Sequence, residues 1–323
     1  MYIPISVDGG VPMTDVSKKE HKRWGKKYID ERDWPKYNEQ LVRRGELILD
    51  FDWVTTWHED LKEMNRNKAG HPYLFPDSLI RFQTILHDKN IPVRMIEGIT
   101  RQLCYMAQLP DYNDYSTVNR RINQLDYHIE LPNQDLLAIF GDGSGFQAIN
   151  GGEYLREKYG KKNRRWIQVI ILGDPKTKEP VSFEVNLVPA SEAASAKRQL
   201  QEILDQDVKV KRFGGDGAFD EIDLWQKLES NGIQPVIKPD SNARDDSESE
   251  TRNNNVRERN TVGYDEWARR HDYGKRWPAT EGIFSAVKRI FGEHLAAKSE
   301  IGLVQEAKSK IWAYSIMKRY GEA

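Results

Sequence analysis

The sequence predicts an α/β protein, with a helical region over residues 1 to about 130 followed by a mixed-sheet region over 131–323. Three observations predict it. Apolar residues recur at three and four spacing in "DSLIRFQTILHD" (77–88) and "VRMIEGITRQLCYMAQL" (93–109), as amphipathic helices require. From about residue 135 the pattern changes to short apolar runs broken by Gly, Pro and Asp, which read as strands. These runs alternate with helix-like segments in the order three strands, helix, strand, helix, strand, and that order implies a mixed sheet.

In the helical region, Asp77 is expected to cap the first of these helices and Pro92 to open the second. A third helix is expected in "DYSTVNRRINQL" (114–125), capped by Ser116 or Thr117. The single Cys104 excludes internal disulfides and multi-cysteine zinc sites, and its apolar context fits a buried small hydrophobe.

The mixed region opens with "LLAIFGDGSGFQ" (136–147), an apolar run from Leu136 to Phe140 that leads into Asp142 between glycines. Alone, such an aspartate is the ordinary vocabulary of a turn. A second copy changes the reading: "VKVKRFGGDGAF" (208–219) again ends a strand pattern at glycines and an aspartate, Asp216. "RRWIQVIILGD" (164–174) and "EPVSFEVNLVPA" (179–190) form a hairpin around "DPKTK", and "SEAASAKRQLQEILDQD" (191–207) is a helix opened by a capping serine. A helix in "DEIDLWQKLESNG" (220–232) and a strand in "IQPVIKP" (233–239) follow. Residues 240–260 hold almost no apolar side chain beyond Val256 and are expected to form an exposed or disordered insertion, dispensable for metal binding. A late helix starts near Pro278 and Thr280, with Ile283, Phe284, Val287, Ile290 and Phe291 on one face and Glu281 and Lys288 together on its flank.

Hydrophobic content of 38%, charged content of 31% and a mean hydropathy of -0.75 describe a polar chain, without an apolar run long enough to span a bilayer or a secretory leader at its start. A cytoplasmic location is expected. A net charge of -1 gives no global signature of nucleic-acid binding, so local patches must carry any such contact.

Two strand-end aspartates and a glutamate on a late helix form a hard oxygen donor set suited to Mg²⁺ or Mn²⁺. Two such ions, roughly 3.5 to 4 Å apart, serve an in-line displacement at phosphorus. A glycosidase pair would also need two carboxyl groups, but it explains neither the third nor the surrounding lysines and arginines.

"FGDGSGF", "GGDGAFD" and "YGKRWPATEGIFSAVKRIFG" resemble the three catalytic blocks of DDE-type insertion-sequence transposases of the IS-five family. The last block of that family spaces Tyr, two residues, Arg, three residues, Glu, six residues, Lys. Tyr273, Arg276, Glu281 and Lys288 match it, except that four residues separate Arg276 from Glu281. "WPKYNEQLVRRGEL" (34–47) and "DYSTVNRRI" (114–122) are similar to upstream blocks of the same family. The resemblance implies a ribonuclease-H-like core in which Asp142, Asp216 and Glu281 hold two Mg²⁺ or Mn²⁺ ions, with Lys288 and Arg276 contacting DNA or the transition state. It also implies transposition, with double-stranded DNA at the element ends and target as partner and a homodimer joining two ends. A DNA-binding protein that has lost the reaction, or a nuclease on the same core, remains the alternative.

For DNA contact the sequence offers "KKEHKRWGKK" (18–27); a recognition helix over Ser116–Asn123 carrying Asn119, Arg120, Arg121 and Asn123; the basic stretch with Lys161, Lys162, Arg164 and Arg165; and Tyr273.

Overall fold

The structure, a computed structural model, describes residues 33–131, 137–149, 166–240 and 242–322, and the backbone of four residues before them. The chain divides into two compact units, Met1–Asp33 and Trp34–Ala323. In the first, β1 (Lys22–Arg23) and β2 (Lys26–Lys27) pair antiparallel, within the basic patch at 18–27. The second unit carries the other described elements.

Its first part is helical: α1 (Trp34–Glu46), α2 (Trp57–Asn65), α3 (Asp77–Asp88), α4 (Val93–Tyr105) and α5 (Tyr115–Ile122). The expected helices are present, but two caps differ from expectation. Asp77 is the first residue of α3 rather than its cap, and its carboxylate instead receives Arg121. On α5 the cap is Asp114, whose side chain accepts from the backbone N–H groups of Ser116 and Thr117. Carboxylate at that position satisfies two of the donors that a helix start leaves free.

The second part is built on a six-stranded sheet. Its strands are β3 (Leu137–Ala148), β4 (Trp166–Asp174), β5 (Glu179–Asn186), β6 (Val210–Gly215), β7 (Gln234–Ile237) and β8 (His294–Leu295). The spatial order is β5-β4-β3-β6-β7, with β8 beside the far end of β3. Among the first three strands, β4 runs antiparallel to both β3 and β5, whereas β6 is parallel to β3 and β7 to β6. This is the strand order and direction of a ribonuclease-H-like sheet.

Between the strands lie α6 (Glu192–Leu204), with Ser191 as its cap, and α7 (Ile222–Ser230). After β7 come α8 (Glu250–Val262), α9 (Tyr264–Arg270), the single turn α10 (Arg276–Ala279), α11 (Glu281–Phe291) and α12 (Glu300–Glu322). The segment expected to be a disordered insertion therefore contains a 13-residue helix. Composition misleads there because α8 is docked by polar contacts: Arg252 pairs with Asp220, Ser249 bonds Glu229, and Asn253 bonds Ser247.

Alternation along the strands sorts the core into two layers. Leu137 and Ile139 of β3 join Ile170 and Leu172 of β4 under α6 and α7. Phe146 and Ala148 join Ile167, Val169 and Ile171 on the other face, where they meet α11, α12 and the amino-terminal helices. No described helix is long and apolar enough to cross a membrane.

Candidate active site

The sequence expectation ends the first strand at Asp142, but β3 continues through it to Ala148. Antiparallel pairing with β4 carries the strand on, and Asp142 lies opposite Ile171. On the other side the partner β6 does end: Phe140 pairs with Gly214, so Asp216, two residues later, comes level with Asp142. Asp216 then turns the chain by accepting from the N–H of Ala218 at 2.9 Å.

The glycines around both aspartates have a packing reason. Phe219 is fully buried, with ring atoms 2.7 Å from where a Cβ on residue 141 would stand and 2.6 Å from the same point on residue 215. One phenyl ring thus packs onto both aspartate-bearing strands at once. Side chains at either position would push it out.

The glutamate arrives on α11. Ile283, Phe284, Val287 and Phe291 are buried against the sheet, and at roughly 1.5–3 kcal/mol each they outweigh any surface ion pair in fixing the helix. Immediately before it, α10 lies so close to β4 that the Ala279 carbonyl occupies the space a Cβ on Gly173 would need. The helix breaks at Thr280, whose hydroxyl donates to the Arg276 carbonyl at 3.0 Å. That break absorbs the extra residue between Arg276 and Glu281.

Arg276 consequently sits at the centre of the site. Its guanidinium is 2.9 Å from Glu281 Oε1, 3.8 Å from Asp142 Oδ1 and 4.0 Å from Asp216 Oδ2. Tyr273 lies below, its ring centroid 5.5 Å from the guanidinium carbon. Burial works against the Arg276 charge, but Tyr273, Asp142, Glu281 and Asp216 more than offset it and strengthen its hold on the proton. Burial, followed by repulsion from Asp216 and Glu281 that Arg276 only partly relieves, pushes Asp142 up to about 6.

A fourth acid, Glu192 at the start of α6, stands near Asp216 and Asp142 and was missed in the sequence, where it reads only as a first-turn residue. Lys288 donates to Ser144 Oγ at 3.0 Å, which ties α11 to β3 two residues beyond Asp142.

Three carboxylates converging on one cation have the charge and the hard oxygen chemistry that suit a divalent metal. With the guanidinium between them, no three His, Cys, Asp or Glu side chains among the described residues stand together as a ready metal group. Asp142, Asp216 and Glu281 could hold such an ion once Arg276 yields the centre.

The expected DNA contacts fare differently. Asn119 and Arg120 are exposed on α5, and Asn123 is half-buried just beyond it. Arg121 is buried: it pairs with Asp77 at 2.5 Å, donates to the Phe75 carbonyl and stacks on Tyr73, so it holds α5 to α3 and is not free for phosphate. Tyr273, 5% exposed among Val236, Tyr264 and Trp267, likewise supports Arg276 from beneath rather than facing solvent. Lys161, Lys162, Arg164 and Arg165 lie outside the described residues.

No curated protein matches the chain. Among solved structures, it is similar to a chain of the simian T-cell lymphotropic virus intasome in complex with PP2A regulatory subunit B56 gamma, at 10% identity over 59% of this chain and 58% of that one, with a TM-score of 0.27. It is also similar to the Drosophila P element transposase strand transfer complex, at 14% identity over 62% of this chain and 48% of that one, with a TM-score of 0.31. The chain thus spans less than two thirds of either solved relative. Two family profiles, both described as "Transposase DDE domain", match residues 42–150 and 134–316. Because the second match alone covers more than half of its length and includes Asp142, Asp216 and Glu281, the chain belongs to the DDE-domain transposase family.

Proposed function

We propose that this chain is a transposase of the IS-five group, acting in the cytoplasm on double-stranded DNA. It binds the terminal inverted repeats of its own element, hydrolyses a phosphodiester to free a 3′-hydroxyl, and directs that hydroxyl at target DNA. What carries the reading is the convergence of Asp142, Asp216 and Glu281, from two adjacent strands and a packed helix, on the single Arg276 guanidinium.

Asp142, Asp216 and Glu281 would hold Mg²⁺ or Mn²⁺, two ions in all, and bound metal supplies activation of the attacking oxygen and charge stabilisation on the leaving one. Arg276, displaced from the carboxylates when they are so engaged, is available to the oxygens of the scissile phosphate, for which its planar fork is suited. Lys288, held by Ser144, adds a point charge nearby. Asn119, Arg120 and Asn123 present the polar face of α5 to DNA, while Lys161, Lys162, Arg164 and Arg165 would supply phosphate contacts. Joining two ends in one complex calls for a homodimer.

The test is a 3′-end cleavage and joining assay with Mg²⁺ or Mn²⁺ on the DNA that flanks the gene. Asp142→Asn, Asp216→Asn and Glu281→Gln should each abolish cutting and joining while end binding persists. Collapse of binding in Asp216→Asn would mean a structural carboxylate and would overturn the site assignment. Binding without cutting by the unmodified protein would favour a non-catalytic DNA-binding role, and cutting without joining a nuclease.

A further inference from the structure

Helix α4 carries an exposed face that the proposed chemistry does not use. Of its residues only Ile96 and Thr100 are fully buried, where the helix packs on α3 and α5. At about 100° per residue, the exposed Arg94, Met95, Arg101, Gln102, Tyr105 and Met106 fall within about 140° of one another on the opposite side. Met95 and Met106 are each 59% exposed and Tyr105 is 73% exposed, and large apolar side chains left together in water mark an interaction surface. Gly98 lies between them with open space where its Cβ would stand. A glycine inside a helix costs about 1 kcal/mol relative to alanine, and on this face it lets another backbone come close.

The charges of the face are self-complementary. Glu97 and Arg101 are one turn apart, the spacing at which an acid and a base pair along a helix. They do not pair here. Glu97 accepts from the Tyr115 N–H at 2.9 Å, and among the described residues Arg101 has no ion-pair partner. Both lie toward one edge of the exposed face. In an antiparallel pair of α4 helices, with the two-fold axis level with Thr100, each edge meets the same edge of the other copy. Arg101 then faces Glu97 of the second copy, and symmetry makes that contact twice. On the other edge Met95 meets Met106, while Gly98 meets Gln102 near the axis. Arg94, which lies on the Tyr115 ring of its own chain at 4.8 Å, turns its other side to Tyr105 of the second copy. DNA fits this face less well, because methionines have nothing to offer a phosphate and Glu97 repels one.

We propose that the exposed face of α4 is the surface through which two copies of this chain associate, antiparallel about a two-fold axis. It gives the homodimer of the proposed function a place on the molecule, and it rests on that reading for its use. A 13-residue helix is about 20 Å long, so the interface falls below about 1,200 Å² and is weak by itself. Two copies held on DNA ends that are being joined stand at a high effective concentration, where a weak contact is enough.

The experiment is sedimentation velocity of the full chain over a concentration series, without DNA or metal. The unmodified chain should pass from monomer to dimer as concentration rises. Glu97→Arg and Arg101→Glu each set like charges against each other twice across the axis, and each should raise the dissociation constant at least about tenfold. An equimolar mixture of the two variants should recover the original affinity, because one copy is then wholly basic at this edge and the other wholly acidic. Tyr105→Ala removes a solvent-exposed ring and should also weaken the dimer about tenfold, with an unchanged melting temperature. A chain that stays monomeric at every concentration overturns the proposal, and so does a dimer that both charge variants leave intact. A mixture no tighter than its components, with both variants folded by circular dichroism, overturns it as well. If the chain is monomeric and Arg101→Glu instead weakens binding to the element ends, the face belongs to DNA and the proposal falls. None of these outcomes touches the cleavage reading, and a failure of cleavage in a chain that dimerises through α4 leaves this surface standing.

Discussion

Burial and two neighbouring carboxylates raise Asp142 to about 6, so the folded chain keeps this proton at a pH where the unfolded chain, near 3.8, has released it. Stability falls with rising pH wherever the native state binds more protons. The contribution of Asp142 is therefore fully present below about pH 4 and lost as pH rises through about 6, the reverse of an ordinary salt-bridged aspartate. The side chain is only 14% exposed, so about 2 kcal/mol of the metal-free protein's stability should disappear across that window. Paired carboxylates elsewhere slope the other way, and the usable quantity is the difference between the unmodified chain and Asp142→Asn, measured by urea melts from pH 4 to 8 without metal. Asp142→Asn should be the more stable protein at pH 8, and equal stabilities there would show that the carboxylate is relaxed in its site. Preorganised repulsion of this kind is relieved only by a cation, here Arg276.

At the scale of an element, α8 shows how a strongly polar segment becomes ordered. Arg252 and Asp220 form a two-pronged pair at 2.8 and 2.9 Å, with side chains 12% and 3% exposed, and Asp220 also accepts from the Trp225 indole. Removing one partner of a buried pair leaves the other charge stranded, so Arg252→Ala should cost about 3 kcal/mol and release α8 to hydrogen exchange. Arg257→Ala, on the same helix but in a half-exposed pair with Asp245, should cost under about 1 kcal/mol. Equal losses in urea would mean that α8 is held by something other than the Asp220 contact. The same helix marks where the sequence was opaque. Its partners Asp220 and Glu229 lie in a different segment of the chain, and a low apolar count cannot reveal a long-range polar dock. By contrast α3, β4, β5 and α6 were legible, because their buried residues obey one period and their ends carry turn or cap chemistry. Asp142, Asp216 and Glu281 were legible as a repeated strand-end pattern plus a helix-flank acid. Glu192 was not, since nothing near it in sequence says that residue 143 leaves room for it. Arg121 and Tyr273 matched a motif, yet burial gives both a supporting role.

Across the whole Trp34–Ala323 unit, the sequence reading of two successive regions meets an apolar cluster that both regions share. Trp57, Leu79, Ile80, Ile96 and Val118 from the helical part belong to the same buried cluster as Phe146, Val169 and Ile171 of the sheet. The link is α12, the longest of the described helices and one that the sequence reading did not anticipate, which packs against α1, α3 and β5 and buries Leu303, Ala307, Ile311, Trp312 and Met317 among them. Its buried polar residues reach both ways: Ser309 donates to Asp88 on α3 at 2.8 Å, while Lys310 donates to the His294 carbonyl on β8 at 2.6 Å. A chain of this size would ordinarily be expected to unfold in stages. A shared core threaded by α12 instead predicts that the helical part and the sheet lose protection together. Ile311→Ala, at a site with no exposure, removes methyl groups at the junction and should cost about 2–5 kcal/mol. Native-state hydrogen exchange is the suitable measurement, because amides of α3 and of β4 report the two parts separately. The expected result is an equal fall in protection for both sets of amides in Ile311→Ala. If β4 kept its protection while α3 lost it, the sheet would be an independent folding unit, and the geometry that brings Arg276 to Asp142, Asp216 and Glu281 would not depend on the helices in front of it.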